Sequence, residues 1–123
     1  MPVRIVDASA LGALLFGEPR APEIAVALGE NSLAAPLLLP FELASVCLKK
    51  IVSHPERSGS IIDAFGLFPR LSIDLVEVDH MQTVVMARKT GLTTYDASYL
   101  WLAHELGGEL ISLDKQLLAV VTS

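Results

Sequence analysis

The sequence predicts an α/β fold in which helices cover both faces of a central parallel sheet. Two observations carry that expectation. Short apolar or β-branched runs alternate with segments of helical periodicity, the order that parallel βαβ units require. The 123 residues contain no internal repeat, low-complexity segment or linker, and 52% of them are hydrophobic, with a mean hydropathy of +0.53. That is far too apolar for disorder and fits one domain spanning residues 1–123.

Residues 3–7, VRIVD, read as a strand ending in Asp7, and ASALGALLF after it suits a helix whose first turn begins beside that aspartate. Residues 22–29, PEIAVALG, predict a second helix with Pro22 in its first turn and Gly29 as its C-cap, followed by a short strand at 33–36, LAAP. In residues 40–54, apolar Phe41, Leu43, Ala44, Cys47, Leu48 and Ile51 recur at helical spacing, with Pro40 suited to the first helical position and Glu42 to the first turn. Residues 58–68, SGSIIDAFGLF, predict another helix, broken by Pro69. Residues 71–79 alternate apolar and polar like a strand, and 80–91 return to helix with Gly91 as the stop. The segment LTTYDASYLWLA opens a helix over about residues 94–106, closed by Gly107-Gly108. Residues 109–114, ELISLD, form a buried strand, and KQLLAVV a final short helix.

Charge and hydropathy exclude several function classes. The net charge is −5, and no Lys/Arg run exceeds the pairs Lys49-Lys50 and Arg88-Lys89, so bulk electrostatics repels nucleic acid. Chemistry on nucleic acid would need metal ions to reverse the local sign. The longest run free of polar residues and proline, ALGALLFG at 10–17, is far shorter than the roughly 20 residues that cross a bilayer, so no membrane span is expected. An N-terminus without a signal-peptide charge pattern, and a single cysteine, lead us to expect a cytoplasmic protein. Cys47 lies among apolar helix positions and reads as a small buried hydrophobe rather than a nucleophile. A chain of this size leaves roughly a third of its unfolded surface exposed. So apolar a composition therefore predicts a homo-oligomer or an obligate partner.

Four carboxylates stand out by position. Asp7 ends the first strand and Asp114 the last, and open parallel sheets bind ligands beyond the carboxyl ends of their strands. Glu42 and Asp96 occupy the first turns of helices that should begin at that same edge. Each also has a purely local explanation. Asp7 and Asp114 suit N-caps, Glu42 complements a helix dipole, and Asp96 completes a capping box with Thr93. Four coincidences on one edge favour a site. Clustered carboxylates raise one another's pKa and destabilise the fold unless a cation joins them. Mg²⁺ or Mn²⁺, which prefer oxygen ligands, would suit such a cluster and phosphodiester cleavage.

At these residues the chain resembles the PIN-domain ribonucleases, most closely VapC-type toxins of toxin–antitoxin pairs, over essentially its whole length. The resemblance lies in IVDAS near the N-terminus, PFELASV, TTYDASYLWLA, and LISLDKQL near the C-terminus. It implies a PIN-like three-layer α/β/α sandwich with a central parallel sheet. It also implies a metal-dependent endoribonuclease whose acidic quartet falls on Asp7, Glu42, Asp96 and Asp114. Asp7, Asp96 and Asp114 are then the main metal ligands for Mg²⁺ or Mn²⁺, and Glu42 a ligand or water-orienting base. Ser112, two residues before Asp114, matches the family's small hydroxyl residue, with serine for the commoner threonine; strand alternation predicts that it shares a side with Asp114. Ser9 resembles a small polar supporting residue, and a cap serves it equally well. RNA as substrate, a VapB-type antitoxin and a homodimer are further implications.

Other candidates are weaker. His54, His80 and His104 lack zinc-ligand spacing, and Arg88, Lys89 and Lys115 read as solvated before they read as phosphate contacts. Tyr99 and Trp101 read as core or interface residues before they read as base-stacking groups. The rival function is a catalytically inactive PIN-like binding module, whose mark would be a missing acid; all four are present. A phospho-receiver would want an acidic neighbour beside Asp7, and a haloacid-dehalogenase-type phosphatase would want Asp-x-Asp where the chain has Asp7-Ala8-Ser9.

Overall fold

Four short strands and seven α-helices alternate along residues 2–122, the part of the chain that the computed structural model describes. The strands are β1 (Val3–Val6), β2 (Ser32–Pro36), β3 (Ile73–Val76) and β4 (Glu109–Ile111). All pair in parallel, in the order β3-β2-β1-β4. The helices are α1 (Ala8–Leu15), α2 (Ala21–Leu28), α3 (Leu39–Ser53), α4 (Ser58–Phe65), α5 (His80–Thr90), α6 (Thr94–Leu106) and α7 (Lys115–Thr122). The result is an α/β sandwich around a parallel sheet.

The strand order creates a switch point. From β1 the chain steps outward through β2 to β3, then crosses back to lay β4 on the other side of β1. Right-handed crossovers put the connections running in opposite directions on opposite faces. Accordingly α1 packs with α2 and α3, whereas α5 packs on α6, which itself lies over β1, β2 and β4. Because α6 is covered by both the sheet and α5, Ala97, Ser98, Tyr99, Leu100, Leu102 and Ala103 are all buried. Ile5 and Val6 of β1, Ala35 of β2, Leu11, Leu39, Leu43 and Leu102 are fully enclosed between the layers.

Local chemistry sets the element ends. Asp7 caps α1, Asp79 caps α5 and Thr93 caps α6, each by accepting a backbone N–H from within the first turn. Gly29, Gly91 and Gly107 close α2, α5 and α6. The expected helix at 58–68 is shorter than its apolar spacing suggests. It stops at Phe65, and Pro69 lies in a separate 3-10 turn, Phe68–Leu71, because a proline disfavours α-helix in the residue before it. Strand β4 keeps only three residues of the expected 109–114, since beyond Ile111 the Asp114 N–H is taken by the Ser112 hydroxyl instead of a neighbouring strand.

The paired glycines after α6 have different reasons. Gly107 sits at φ 62°, which a side chain resists. Gly108 lies against β1, where an added Cβ would meet the Val3 carbonyl oxygen at 2.7 Å and the Ile5 Cδ1 at 2.9 Å. Gly108→Ala should therefore destabilise the protein by about 1–3 kcal/mol through overpacking that a backbone atom cannot relieve. The measurement is urea unfolding; an unchanged midpoint would contradict this close approach of the chain to β1.

Candidate active site

Asp7 leaves β1 at the switch point, and its N–H donates to the Ile111 carbonyl at the end of β4, at 3.2 Å. Its side chain is only 5% exposed. Oδ1 accepts the Ser9 hydroxyl at 2.7 Å and the Ala10 N–H at 3.0 Å, and Oδ2 accepts the Ser112 hydroxyl at 2.5 Å. Burial pushes the carboxyl above its ordinary range, these three hydrogen bonds pull it back, and the charge of Asp114 adds to the rise.

The two serines tie the ends of β1 and β4 together. Ser9 accepts the Leu113 N–H at 2.9 Å, and Ser112 accepts the Asp114 N–H at 2.9 Å. Ser112 and Asp114 lie beyond the end of β4, so their nearness rests on this side-chain-to-backbone bond and not on the pleat that sequence alternation invoked. Asp114 in turn caps α7 by accepting the Leu117 N–H at 3.0 Å.

Glu42 and Asp96 come from the first turns of α3 and α6. Glu42 accepts a hydrogen bond from the Tyr99 hydroxyl at 2.7 Å. Partial burial raises its carboxyl, the Tyr99 bond lowers it, and the charges of Asp96 and Asp7 raise it further. The Tyr99 hydroxyl, buried against this carboxylate, is itself pushed far above its usual range. Asp96 is raised first by burial and then by Asp114 and Asp7, with a Thr93 hydrogen bond opposing. Thr93 also accepts the Asp96 N–H at 3.1 Å, so the cap and the acidic neighbourhood coexist.

Asp7, Glu42 and Asp96 therefore each sense the charge of one or two of the other acids, although the residues are drawn from separated segments. Among the described residues no three His, Cys, Asp or Glu side chains converge closely enough to cage a metal ion. The donor chemistry nonetheless fits a hard cation. Carboxylates and two hydroxyls offer only oxygen, and Mg²⁺ needs one or two carboxylates while keeping its waters.

The remaining candidates lie elsewhere. His80 and His104 are exposed, as is His54, which faces Glu56 at 3.6 Å. Cys47 is buried and free. Trp101 donates to Gln82 at 2.8 Å. Arg88 and Lys89 sit in the last turn of α5, where cations suit the helix dipole. Sequence reading missed Tyr99 as the partner of Glu42, 57 residues away. Its signal was the i, i+3 spacing from Asp96, which puts both on one side of α6.

Three comparisons bear on this geometry. The PIN domain family pattern matches residues 4–122. The chain is 30% identical over 118 residues to Ribonuclease VapC3 of Pyrobaculum aerophilum, spanning 92% of this chain and 90% of that protein. It also superposes on the crystal structure of PAE2754 from Pyrobaculum aerophilum with a TM-score of 0.67 and 26% identity, covering 97% of this chain and 86% of the other.

The raised carboxyls predict a pH-dependent stability. A carboxyl whose folded pKa lies above its unfolded value, 3.8 for aspartate, favours folding below that value and loses this contribution as pH rises through the folded pKa. In metal-free protein Asp96→Asn should therefore be more stable than the parent at neutral pH, and the difference should shrink as the buffer approaches pH 4. Thermal melts of both proteins across that range check it. A variant less stable than the parent at pH 7 would mean that the Asp96 carboxylate stabilises the first turn of α6 more than it is strained by its acidic neighbours.

Proposed function

The chain belongs to the PIN-domain family, and on that premise we propose that it is a metal-dependent endoribonuclease of the VapC toxin type, hydrolysing RNA phosphodiester bonds in the cytoplasm. The observation that carries this reading is geometric: beside the switch point of a parallel sheet, Ser112 bonds both the Asp7 carboxylate and the Asp114 N–H, and Tyr99 brings Glu42 of α3 onto α6, the helix that carries Asp96 in its first turn. The likeness to a ribonuclease along nearly the whole chain supports RNA as the substrate.

In the proposed site Asp7, Asp96 and Asp114 would hold Mg²⁺ or Mn²⁺. When bound, the ion supplies water activation and offsets charge on the phosphate. Glu42 orients the attacking water or takes its proton; its Oε1 is engaged by Tyr99, which leaves Oε2 free for that work. Ser9 and Ser112 act on Asp7, fixing both of its oxygens so that one rotamer faces the site. Water adds at phosphorus as the bond to the leaving oxygen breaks; one proton of that water passes to Glu42 and on through solvent to the leaving oxygen, so that the products are a phosphate monoester and a hydroxyl.

A reading as a catalytically inactive PIN-like binding module is favoured by one observation, the lack of a three-carboxylate cage among the described residues. It predicts no cleavage of any RNA at any metal concentration. The ribonuclease reading predicts that Asp7→Asn or Asp114→Asn lowers metal-dependent cleavage of a mixed RNA pool by about 100-fold or more. Ser112→Ala should cost about 10–100-fold in activity or metal affinity, as partners of metal ligands do. Gel assays with Mg²⁺ and Mn²⁺ titrations, on variants whose melting is verified, separate the two readings.

The proposal extends to assembly. Met81, Val84 and Val85 of α5, and Leu48 and Val52 of α3 beside Ile62 of α4, are exposed apolar side chains. They support a homodimer and a groove for a VapB-type antitoxin. An antitoxin cation placed among the four acids would replace the metal's charge and block phosphate entry. Light scattering should give a mass twice that of one chain, and added antitoxin should inhibit cleavage in competition with metal. A monomer that its neighbouring gene product leaves uninhibited would remove both extensions.

A further inference from the structure

Of the seven aromatic residues in the chain, only Phe41 and Tyr95 are strongly exposed, at 82% and 64%. Both lie in one place. Phe41 immediately precedes Glu42 in the first turn of α3, and Tyr95 immediately precedes Asp96 in the first turn of α6. Together with Leu38, Glu42 and Ser45 they line a cavity of about 310 Å³. Tyr95 and Leu38 also line an adjoining cavity of about 540 Å³, bounded by Leu37, Val84 and Ser98 among others. The aromatic residues singled out from sequence behave differently. Tyr99 is enclosed, with its hydroxyl spent on Glu42, and Trp101 is half-buried with its N–H on Gln82.

Burying aromatic rings is the usual outcome of folding. Two left in water, at the lip of the same acidic site, need an occupant. We infer that Phe41 and Tyr95 stack on a base of single-stranded RNA whose phosphate lies at the carboxylates; the inference rests on the ribonuclease reading and names the substrate features that its site grips. Two observations favour a base over a protein segment, and a third says how it would be held. The smaller cavity is near the lower end of the roughly 300–1,000 Å³ range of ligand pockets, a size for one planar ring system. Its polar lining, Glu42 and Ser45, offers an acceptor and a hydroxyl to a base edge. No Lys or Arg lines either cavity, and the chain carries a net charge of −5. Phosphate contacts therefore supply little of the affinity, and stacking, which tolerates any base, replaces them. A duplex would keep its bases paired and out of reach, so the substrate is unpaired RNA.

The test uses this chain with single-stranded RNA oligonucleotides carrying the fluorescent base 2-aminopurine at each position in turn, with non-hydrolysable linkages for binding and natural linkages for cleavage. At one position adjoining the cleaved bond the fluorescence should be quenched on binding. Phe41→Ala and Tyr95→Ala should abolish the quenching and weaken binding about tenfold each, the loss expected for one stacked base. Tyr95→Phe and Phe41→Tyr should restore both, and Val26→Ala, an exposed apolar position on α2, should change neither. Binding should fall only shallowly with salt. If the parent cleaves RNA while both alanine variants bind and cleave like it, stacking is wrong and the ribonuclease reading stands; altered mass or antitoxin binding in those variants would then assign the pair to a protein contact. Should the protein cleave nothing yet show quenching that the alanine variants lose, the stacking site stands and the catalytic reading falls. No binding and no cleavage would overturn both.

Discussion

The buried carboxylate of Asp7 is the constraint around which the rest of the structure is arranged. A charge with so little access to water is costly unless donors surround it. The chain supplies them from both of its ends: Ser9 and the Ala10 N–H just after β1, and Ser112 just after β4, 105 residues away. Satisfying one carboxylate thus fixes the relative position of the two strands that flank the switch point. The Asp7 N–H on the Ile111 carbonyl and the Leu113 N–H on Ser9 belong to the same knot. Without it β4, three residues long, would have few interactions of its own to hold its register.

That knot leaves a residue of uncompensated charge. Asp7, Glu42 and Asp96 all have carboxyls raised by burial and by their acidic neighbours. Capping explains part of the arrangement, since Asp7 and Asp114 each receive a helix N–H. It does not explain why Glu42, whose helix has no side-chain cap hydrogen bond, should be half-buried with one oxygen on the Tyr99 hydroxyl. Local capping and a shared acidic site are therefore not alternatives here: Asp7 and Asp114 cap helices at the same sheet edge to which α3 and α6 bring Glu42 and Asp96 in their first turns.

The apolar excess has a similar double reading. Enough of it is buried to build two layers around the sheet, with α6 enclosed on both sides. Much of the remainder lies on α3, α4 and α5 and at the rim of the acidic site, with single exposed residues such as Val26 and Leu106 elsewhere. Among the described residues no helix is long and apolar enough to cross a membrane, so the surplus is a property of surfaces and not of a span.

The sequence by itself determined the alternation of elements, the parallel class of the sheet and most helix ends, because these depend on neighbours within a few residues: Asp7 and Thr93 as caps, Gly29, Gly91 and Gly107 as stops. It also singled out the four acids, since each ends a strand or opens a helix. Tertiary structure alone decided the strand order, which no local pattern encodes, and with it the switch point. The Ser9–Asp7–Ser112 knot and the Tyr99–Glu42 bond join residues far apart in the chain, so their geometry is invisible until the sheet has formed. The aromatic residues show the limit most plainly. Tyr95 and Tyr99 are one helical turn apart on α6, and periodicity treats them alike. Tyr99 lies over the sheet and is enclosed, whereas Tyr95 projects beyond the strand ends into water. Which of two equivalent positions is buried depends on where the sheet stops, and only the packed fold supplies that boundary.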